Sequence, residues 1–189
     1  MTDLHFEQLD QEGYTIIPEF LNKQTTRSIR RHIDTLVPPD DTPPEDRKRW
    51  HAVLRHPIPG AIMAIRIIAT QLLQSRELRL LEQVLIRSDP KPPPHGPSGW
   101  HVDWTFLPRH YEAVPHQTYF HMVHALNTVP PGGAAFMIVP GSHHLTYAAS
   151  AKINTAEDLA QLKRDPVGVA GIDTSKGIEI CPNEGDLLI

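Results

Sequence analysis

His101 and Asp103 stand two positions apart in GWHVDWTF, residues 99–106, a stretch otherwise rich in aromatic and β-branched residues. That composition predicts a strand, and on a strand residues i and i+2 project from the same face. An imidazole nitrogen and a carboxylate oxygen held side by side supply two of the three ligands of a 2-His-1-carboxylate Fe(II) site. A structural hydrogen bond between histidine and aspartate would give the same letters, so the motif alone leaves both interpretations open.

Histidine is frequent in this part of the chain. The sequence has 12 histidines, and eight of them lie between positions 95 and 144. This density indicates metal or proton chemistry, although any one of these residues taken alone also fits a surface loop. His121 and His124 share the run QTYFHMVHALN, where a spacing of three prevents both from facing inward unless the strand carries a bulge.

The elements that must position these residues begin with a short strand at residues 14–17, in EGYTIIPEFL. A helix follows it, because Asn22 can cap a first turn and apolar residues then recur at helical spacing. Ile29, Ile33 and Leu36 form the apolar face of this helix. The sequence therefore predicts an opening strand and an amphipathic helix.

Beyond that helix, the prolines and charges of VPPDDTPPEDRKRW predict an exposed loop. Closely spaced apolar residues then predict buried helical segments at residues 60–74 and 75–81, with Ser75 capping the second. After about position 82 the chain changes to short β-rich runs separated by Pro and Gly clusters, a pattern typical of a sandwich or barrel. The runs are EQVLIR, GWHVDWTF, QTYFHMVHALN, AAFMIVP, GIEI and GDLLI, interrupted by one predicted helical insertion at residues 155–163.

Length and charge narrow the class of protein. A chain of 189 residues suits one domain, residues 1–189, with a sizeable core. The net charge of −4 and the scattered Lys and Arg residues argue against nucleic acid or an anionic membrane as partner. Cys181 is the single cysteine and the N-terminus does not follow the layout of a secretory signal, so we expect a cytoplasmic location.

Four segments in order resemble the phytanoyl-CoA dioxygenase family of Fe(II)- and 2-oxoglutarate-dependent oxygenases. EQLDQEGYTIIPEFLNKQTTRSIRRHID is similar to the family's opening strand and helix, and LIRSDPKPPPHGPSGWHVDW to its approach to the iron-binding strand. HALNTVPPGGAAFMIVPGSHH is similar to its most recognisable stretch, and NEGDLLI to the strand that leads to its last iron ligand. The segments together span nearly the whole chain.

The resemblance implies a mainly β fold with flanking helices, the double-stranded β-helix or jelly roll, with iron held inside its open end. It identifies His101 and Asp103 as ligands of Fe(II), with 2-oxoglutarate as cosubstrate. It implies hydroxylation of an unactivated C–H bond in a small molecule by O2, with release of succinate and carbon dioxide.

The sequence departs from the family's pattern at one place. The family's second iron-binding histidine and a basic residue that pairs with 2-oxoglutarate lie beyond the strand that GDLLI begins, and the sequence ends at Ile189. We therefore expect a domain that lacks its last strands here and a native chain that continues, with an intact mass above 21.3 kDa. If the chain does end at Ile189, His143 or His144 of PGSHH is the best substitute ligand on sequence grounds.

Two other classes of protein stay open. One is a noncatalytic jelly-roll module that binds a small ligand, and the other is a cupin-like metalloprotein that uses several histidines without 2-oxoglutarate. Trp100, Trp104 and Phe106 are expected to wall the pocket or fill the core. The identity of the substrate does not follow from the sequence, and the loops at residues 47–56 and 107–116 are where its contacts are expected.

Overall fold

The computed structural model describes residues 1–36, 50–53, 59–78, 84–87, 99–102, 120–133 and 135–189. Within these ranges more of the chain lies in helices than in strands. In chain order the elements are α1 (Asp3–Glu12), β1 (Ile16–Ile17), α2 (Lys23–Leu36), β2 (Trp50–Val53), α3 (Pro59–Leu72), β3 (Val84–Arg87), β4 (Val123–His124), β5 (Phe136–Ile138), α4 (Ser142–Ser150), α5 (Ala156–Arg164), α6 (Pro166–Ala170), a 3-10 helix (Thr174–Lys176), β6 (Ile178–Ile180) and β7 (Leu187–Leu188).

Helix α2 confirms the helix predicted after Asn22. The Asn22 side-chain oxygen accepts a hydrogen bond from the Thr25 backbone N–H at 2.9 Å, which satisfies a donor that the first helical turn leaves free. Ile29 and Ile33 are buried and form one apolar cluster with Leu21. The buried face of α2 is therefore the one that the spacing of its apolar residues predicted.

The last strand, β7, is the central strand of a three-stranded antiparallel sheet with the order β1-β7-β4. Leu188 lies opposite Ile16 on one side and opposite Val123 on the other. The pairing with the N-terminal strand continues one residue further, because the backbones of Thr15 and Ile189 exchange two hydrogen bonds of 3.0 Å each. Residues 15–17 and 187–189 are thus joined in one sheet.

A tight turn leads into β7 and is fixed by the buried carboxylate of Asp186. Its two oxygens accept hydrogen bonds from the backbone N–H of Glu19 at 2.9 Å and of Asn183 at 2.8 Å. Gly185 has a φ of +96°, and a Cβ there would lie 2.5 Å from the Leu21 carbonyl oxygen. Only glycine fits at this position, since both the backbone conformation and the close approach exclude a side chain.

The main apolar core joins this sheet to two helices. Leu9 of α1, Ile68 and Leu72 of α3, and Leu187 and Ile189 are buried together. Phe6, Phe20, Phe120 and other partly buried apolar side chains pack against that cluster. Removing this apolar surface from water is the main stabilising contribution available to the sheet.

A second sheet pairs β5 with β6 in antiparallel fashion, with Met137 opposite Glu179. Helices α4, α5 and α6 lie between these strands in sequence. Thr155 caps α5 by accepting a hydrogen bond from the Asp158 backbone N–H at 3.1 Å, and Leu162 is fully buried. The helical insertion predicted at residues 155–163 is thereby confirmed, one residue displaced.

Five of the six predicted β-rich runs contain strands, namely β3, β4, β5, β6 and β7. The helix predicted at residues 60–74 corresponds to α3, but the described residues 75–78 form no second helix. There the Ser75 hydroxyl accepts a hydrogen bond from the Glu77 backbone N–H only two residues on, which closes a local turn. The stretch predicted as an exposed loop ends in β2, which pairs with β3. The predicted jelly roll stays a prediction.

Candidate metal centre

The residues predicted to bind iron fall at the edge of the described chain. His101 lies in residues 99–102, called here the His101 segment, which has no regular secondary structure. The sequence predicted a strand in GWHVDWTF, but residues 99–102, the described half of that stretch, do not form a strand. Asp103 lies outside the described residues, so its placement beside His101 stays a prediction.

The imidazole of His101 is oriented by its own backbone. Its Nδ1 lies 2.9 Å from the Gly99 carbonyl oxygen, and the side chain is exposed. A carbonyl oxygen only accepts, so Nδ1 must carry the proton, and the lone pair of the neutral ring is then on Nε2. This tautomer is the one that metal-binding histidines commonly adopt, with one ring nitrogen bound to a backbone carbonyl and the other left to bind the metal.

The neighbouring side chain anchors the segment to the second sheet. The indole of the half-buried Trp100 lies against Gly177, directly before β6. A Cβ at Gly177 would lie 2.9 Å from Trp100 Cη2, well inside van der Waals contact. The sequence predicted that Trp100 walls the pocket or fills the core, but it gave no sign of Gly177, because a glycine before a strand is an ordinary turn signal.

The histidines outside the His101 segment have other surroundings. His121 is exposed, whereas the half-buried His124 on β4 stacks on Phe20 with ring centroids 5.9 Å apart. The two side chains therefore differ in burial, as their spacing of three predicted.

His143, which the sequence offers as a substitute ligand if the chain ends at Ile189, contacts the backbone of α1. Its Nε2 lies 2.9 Å from the Asp10 carbonyl oxygen, so Nε2 carries the proton. The ring lies against Gly13, and it is 3.9 Å from the His144 ring between centroids. His143 thus joins the end of α1 to the start of α4.

The charge state of His143 follows from this contact. Burial lowers the pKa of the imidazole below its ordinary 6.5, and the nearby His144 adds to the decrease. The Asp10 carbonyl and the carboxylates of Asp10 and Glu12 oppose it. Among the residues that the structure describes, nothing hydrogen-bonds to the buried Nδ1, so a second proton would have no acceptor.

In the stretch PPGGAAFMIVPGSHH, one turn precedes strand β5 and another follows it. Gly132 donates its backbone N–H to the Glu179 carboxylate at 3.0 Å, which ties the first turn to β6. Gly141 donates to the Glu12 carbonyl at 2.9 Å and ties the second turn to α1. These contacts give the stretch a scaffolding role.

A cleft of about 490 Å³ lies between α4, α5 and α6. Its lining is largely apolar, with Leu145, Ile153 and Val169 among the contributors and Lys152 as its cationic group. No histidine is among the described residues that line the cleft, so His101 is not part of its described wall.

Within the described ranges, no three His, Cys, Asp or Glu side chains converge in a way that could hold a metal ion. Asp103 lies outside those ranges, so only the His101 side chain can be compared with the geometry of a metal-binding histidine. Its Nδ1 contact with Gly99 fits a metal ligand, since it fixes the ring and leaves Nε2 with the lone pair.

Comparison with known proteins gives one match. A sequence model of the family described as phytanoyl-CoA dioxygenase matches residues 9–180, most of the chain, including the whole of GWHVDWTF. No curated protein and no solved structure matches the chain. No helix in the described ranges is long and apolar enough to cross a membrane.

Proposed function

The chain belongs to the phytanoyl-CoA dioxygenase family, a family of oxygenases, and on that premise we propose that it is an Fe(II)- and 2-oxoglutarate-dependent dioxygenase. The substrate in this proposal is a small molecule with an unactivated C–H bond, which is hydroxylated. The family match over residues 9–180 is the observation that carries the proposal.

His101 and Asp103 are the residues proposed to hold the iron. The support for His101 is the contact of its Nδ1 with the Gly99 carbonyl, which selects the tautomer with the lone pair on Nε2. The support for Asp103 is its position two residues further on, within the matched region. Its carboxylate would occupy a coordination position that a halide needs in a halogenase, which favours hydroxylation over halogenation.

O2 is the oxidant of the proposed reaction, and 2-oxoglutarate is oxidised together with the substrate. Bound at this site, Fe(II) would supply the positions where 2-oxoglutarate and O2 react, so that succinate, carbon dioxide and a hydroxylated product form together. The contribution of the chain is to fix the ligands: the Gly99 carbonyl orients the His101 ring, and the Trp100 indole fastens the segment to Gly177.

The proposal includes the jelly-roll fold. The antiparallel pairings β1-β7, β7-β4, β2-β3 and β5-β6 support it, since a jelly roll is built from antiparallel strands. A cytoplasmic location completes the proposal and agrees with the single cysteine, Cys181.

The test is the dependence of succinate formation on Asp103. Protein expressed at its native length is supplied with Fe(II), 2-oxoglutarate, O2 and ascorbate, the reductant that takes the place of the substrate when 2-oxoglutarate is turned over alone, and succinate is quantified. The Asp103→Ala variant is expected to lose at least about 100-fold in rate, because loss of a ligand should cost no less than loss of a ligand's supporting partner. The matched control is His32→Ala, which removes an exposed side chain from α2 and is expected to keep the wild-type rate.

Undiminished succinate formation by Asp103→Ala would contradict the assignment of the metal ligands. No succinate from the wild-type protein under any of these conditions would contradict the proposed reaction and would favour the noncatalytic module.

A further inference from the structure

Two contacts in residues 99–102 bear on the position of His101. One is local, from His101 Nδ1 to the Gly99 carbonyl oxygen at 2.9 Å. The other reaches a distant part of the chain, from the Trp100 indole to Gly177. This second contact ties the His101 segment to the second sheet, because Gly177 leads directly into β6.

The contact depends on glycine for reasons of space rather than backbone conformation. Gly177 has φ −62° and ψ 136°, which any residue can adopt. A Cβ there would lie 2.9 Å from Trp100 Cη2 and 3.1 Å from Trp100 Cζ2. The Thr174 carbonyl oxygen, also at 3.1 Å, leaves the added carbon little room to move away from the ring.

The atoms in contact belong to the benzene part of the indole, the far end of the side chain. An added methyl group would therefore displace the Trp100 ring. Either the ring would rotate about its side-chain bonds, or the backbone of residue 100 would move. His101 is the next residue, so a change in the backbone of Trp100 changes where its imidazole stands. A metal ligand tolerates little displacement before its affinity for the metal falls.

We propose that Gly177 and Trp100 are positioning residues that set the place of the His101 imidazole for metal binding. The inference rests on the proposed function, since it takes His101 as an iron ligand. It adds that the Trp100 ring packs where a side chain at position 177 would lie, and that this packing helps to place the metal ligand. In this proposal Gly177 itself contacts neither the metal nor the substrate.

The experiment is a double-mutant cycle on Gly177 and Trp100 with Fe(II) affinity as the measured quantity. Fe(II) alone is titrated anaerobically into native-length protein, and the readout is the dissociation constant rather than turnover. Gly177→Ala is expected to weaken binding by about 10-fold, the scale of losing a supporting contact of a metal ligand. Phenylalanine lacks Cη2 and Cζ2, so in a Trp100→Phe background the same Gly177→Ala exchange is expected to change affinity less than about 2-fold.

Gly171→Ala is the matched control for loss of stability. A Cβ at Gly171 would meet nothing within 4 Å, but its φ of +65° strains any other residue. The control therefore destabilises the fold without touching Trp100, and it is expected to keep the wild-type Fe(II) affinity. A merely structural role for Gly177 would make the two alanine variants behave alike.

The possible results separate the positioning role of Gly177 from the proposed function. Equal Fe(II) affinity of Gly177→Ala and wild type, or the same loss from Gly177→Ala in both Trp100 backgrounds, would overturn the positioning role while leaving the proposed function in place. Absence of Fe(II) binding by the wild type, or undiminished binding by His101→Ala, would overturn the proposed function and this inference with it.

Discussion

The His101 segment and strand β7 are held in opposite ways. Residues 99–102 form no helix or strand, and the His101 side chain is exposed. Leu187 and Leu188 are buried, and their backbones pair with β1 on one side and β4 on the other. One region is fixed by side-chain contacts at its surface, and the other by a hydrogen-bonded ladder inside the core.

The difference separates stability from chemistry. A strand paired on both sides and buried contributes to the free energy of unfolding, and most changes there lower it. An exposed, irregular segment contributes little to that free energy, but it carries the residue proposed to bind iron. Substitutions in the two regions are therefore expected to change different measured quantities.

The largest effect on stability is expected from Leu187→Ala. The side chain is 0% exposed and belongs to the main core, so its truncation leaves a cavity that the neighbours only partly fill. Urea unfolding should show a loss of about 2–5 kcal/mol. The matched control is Leu4→Ala on α1, where a side chain 75% exposed should cost less than about 0.5 kcal/mol. Equal losses at the two leucines would remove the contrast between core and surface.

The complementary change in the other region is His101→Ala. Fe(II) affinity should fall at least about 100-fold, because a direct ligand is lost. The free energy of unfolding without metal should change by less than about 0.5 kcal/mol, since the side chain is exposed. Anaerobic Fe(II) titration and urea unfolding measure the two quantities. A large loss of stability with unchanged affinity would reverse the roles assigned to the two regions.

Asp186→Asn should destabilise the turn that leads into β7. The carboxylate accepts two backbone N–H groups in a buried place, and an asparagine amide can accept only one of them. The second N–H then faces another donor, so we expect a loss of about 1–3 kcal/mol in urea unfolding. Metal affinity measured well below the unfolding midpoint should stay at the wild-type value. A change in affinity without a change in stability would place Asp186 in the site instead.

The smallest effect concerns pH and His143. Burial holds the folded-state pKa of its imidazole below 6.5, so between these two pKa values the unfolded chain binds more protons than the folded chain. Stability should therefore fall as pH decreases through about 6.5 and below, by no more than about 1.4 kcal/mol per pH unit for one proton. The charged neighbours Asp10 and Glu12 reduce this slope, and His144 increases it.

Urea unfolding between pH 5 and 7.5 provides the check, with His143→Gln as the variant. Glutamine keeps an N–H donor for the Asp10 carbonyl but does not titrate, so its stability should depend less on pH than that of the wild type. His32→Gln, on the exposed face of α2, should follow the wild type. A His143→Gln curve parallel to the wild-type curve would show that this imidazole has the same pKa in both states.

The sequence predicted the elements whose signal is local. Helix α2 has both a capping residue and a periodic apolar face, and α5 has Thr155 as its cap. Strands β3 to β7 fall in β-rich runs bounded by Gly and Pro. Helix α1 was not predicted, because its apolar residues do not mark one face: Leu4 is 75% exposed and Leu9 is buried.

The rest of the fold depends on contacts between distant parts of the chain. Strand β2 forms in a charged, proline-rich neighbourhood because it pairs with β3, which no local pattern reveals. The contact of Trp100 with Gly177 joins residues far apart in sequence in the same way. For the candidate site, the residue types predicted the chemistry, whereas the support of His101 became visible only in three dimensions.

The most direct test of the central claim is whether 2-oxoglutarate binds to iron held by His101 and Asp103. Fe(II) is added anaerobically to native-length protein, then 2-oxoglutarate, and the visible absorption that accompanies chelation of Fe(II) by a 2-oxo acid is recorded. We predict that the wild type develops this band and that His101→Ala and Asp103→Ala do not. A band of equal strength in all three proteins, or no band in the wild type, would contradict the account.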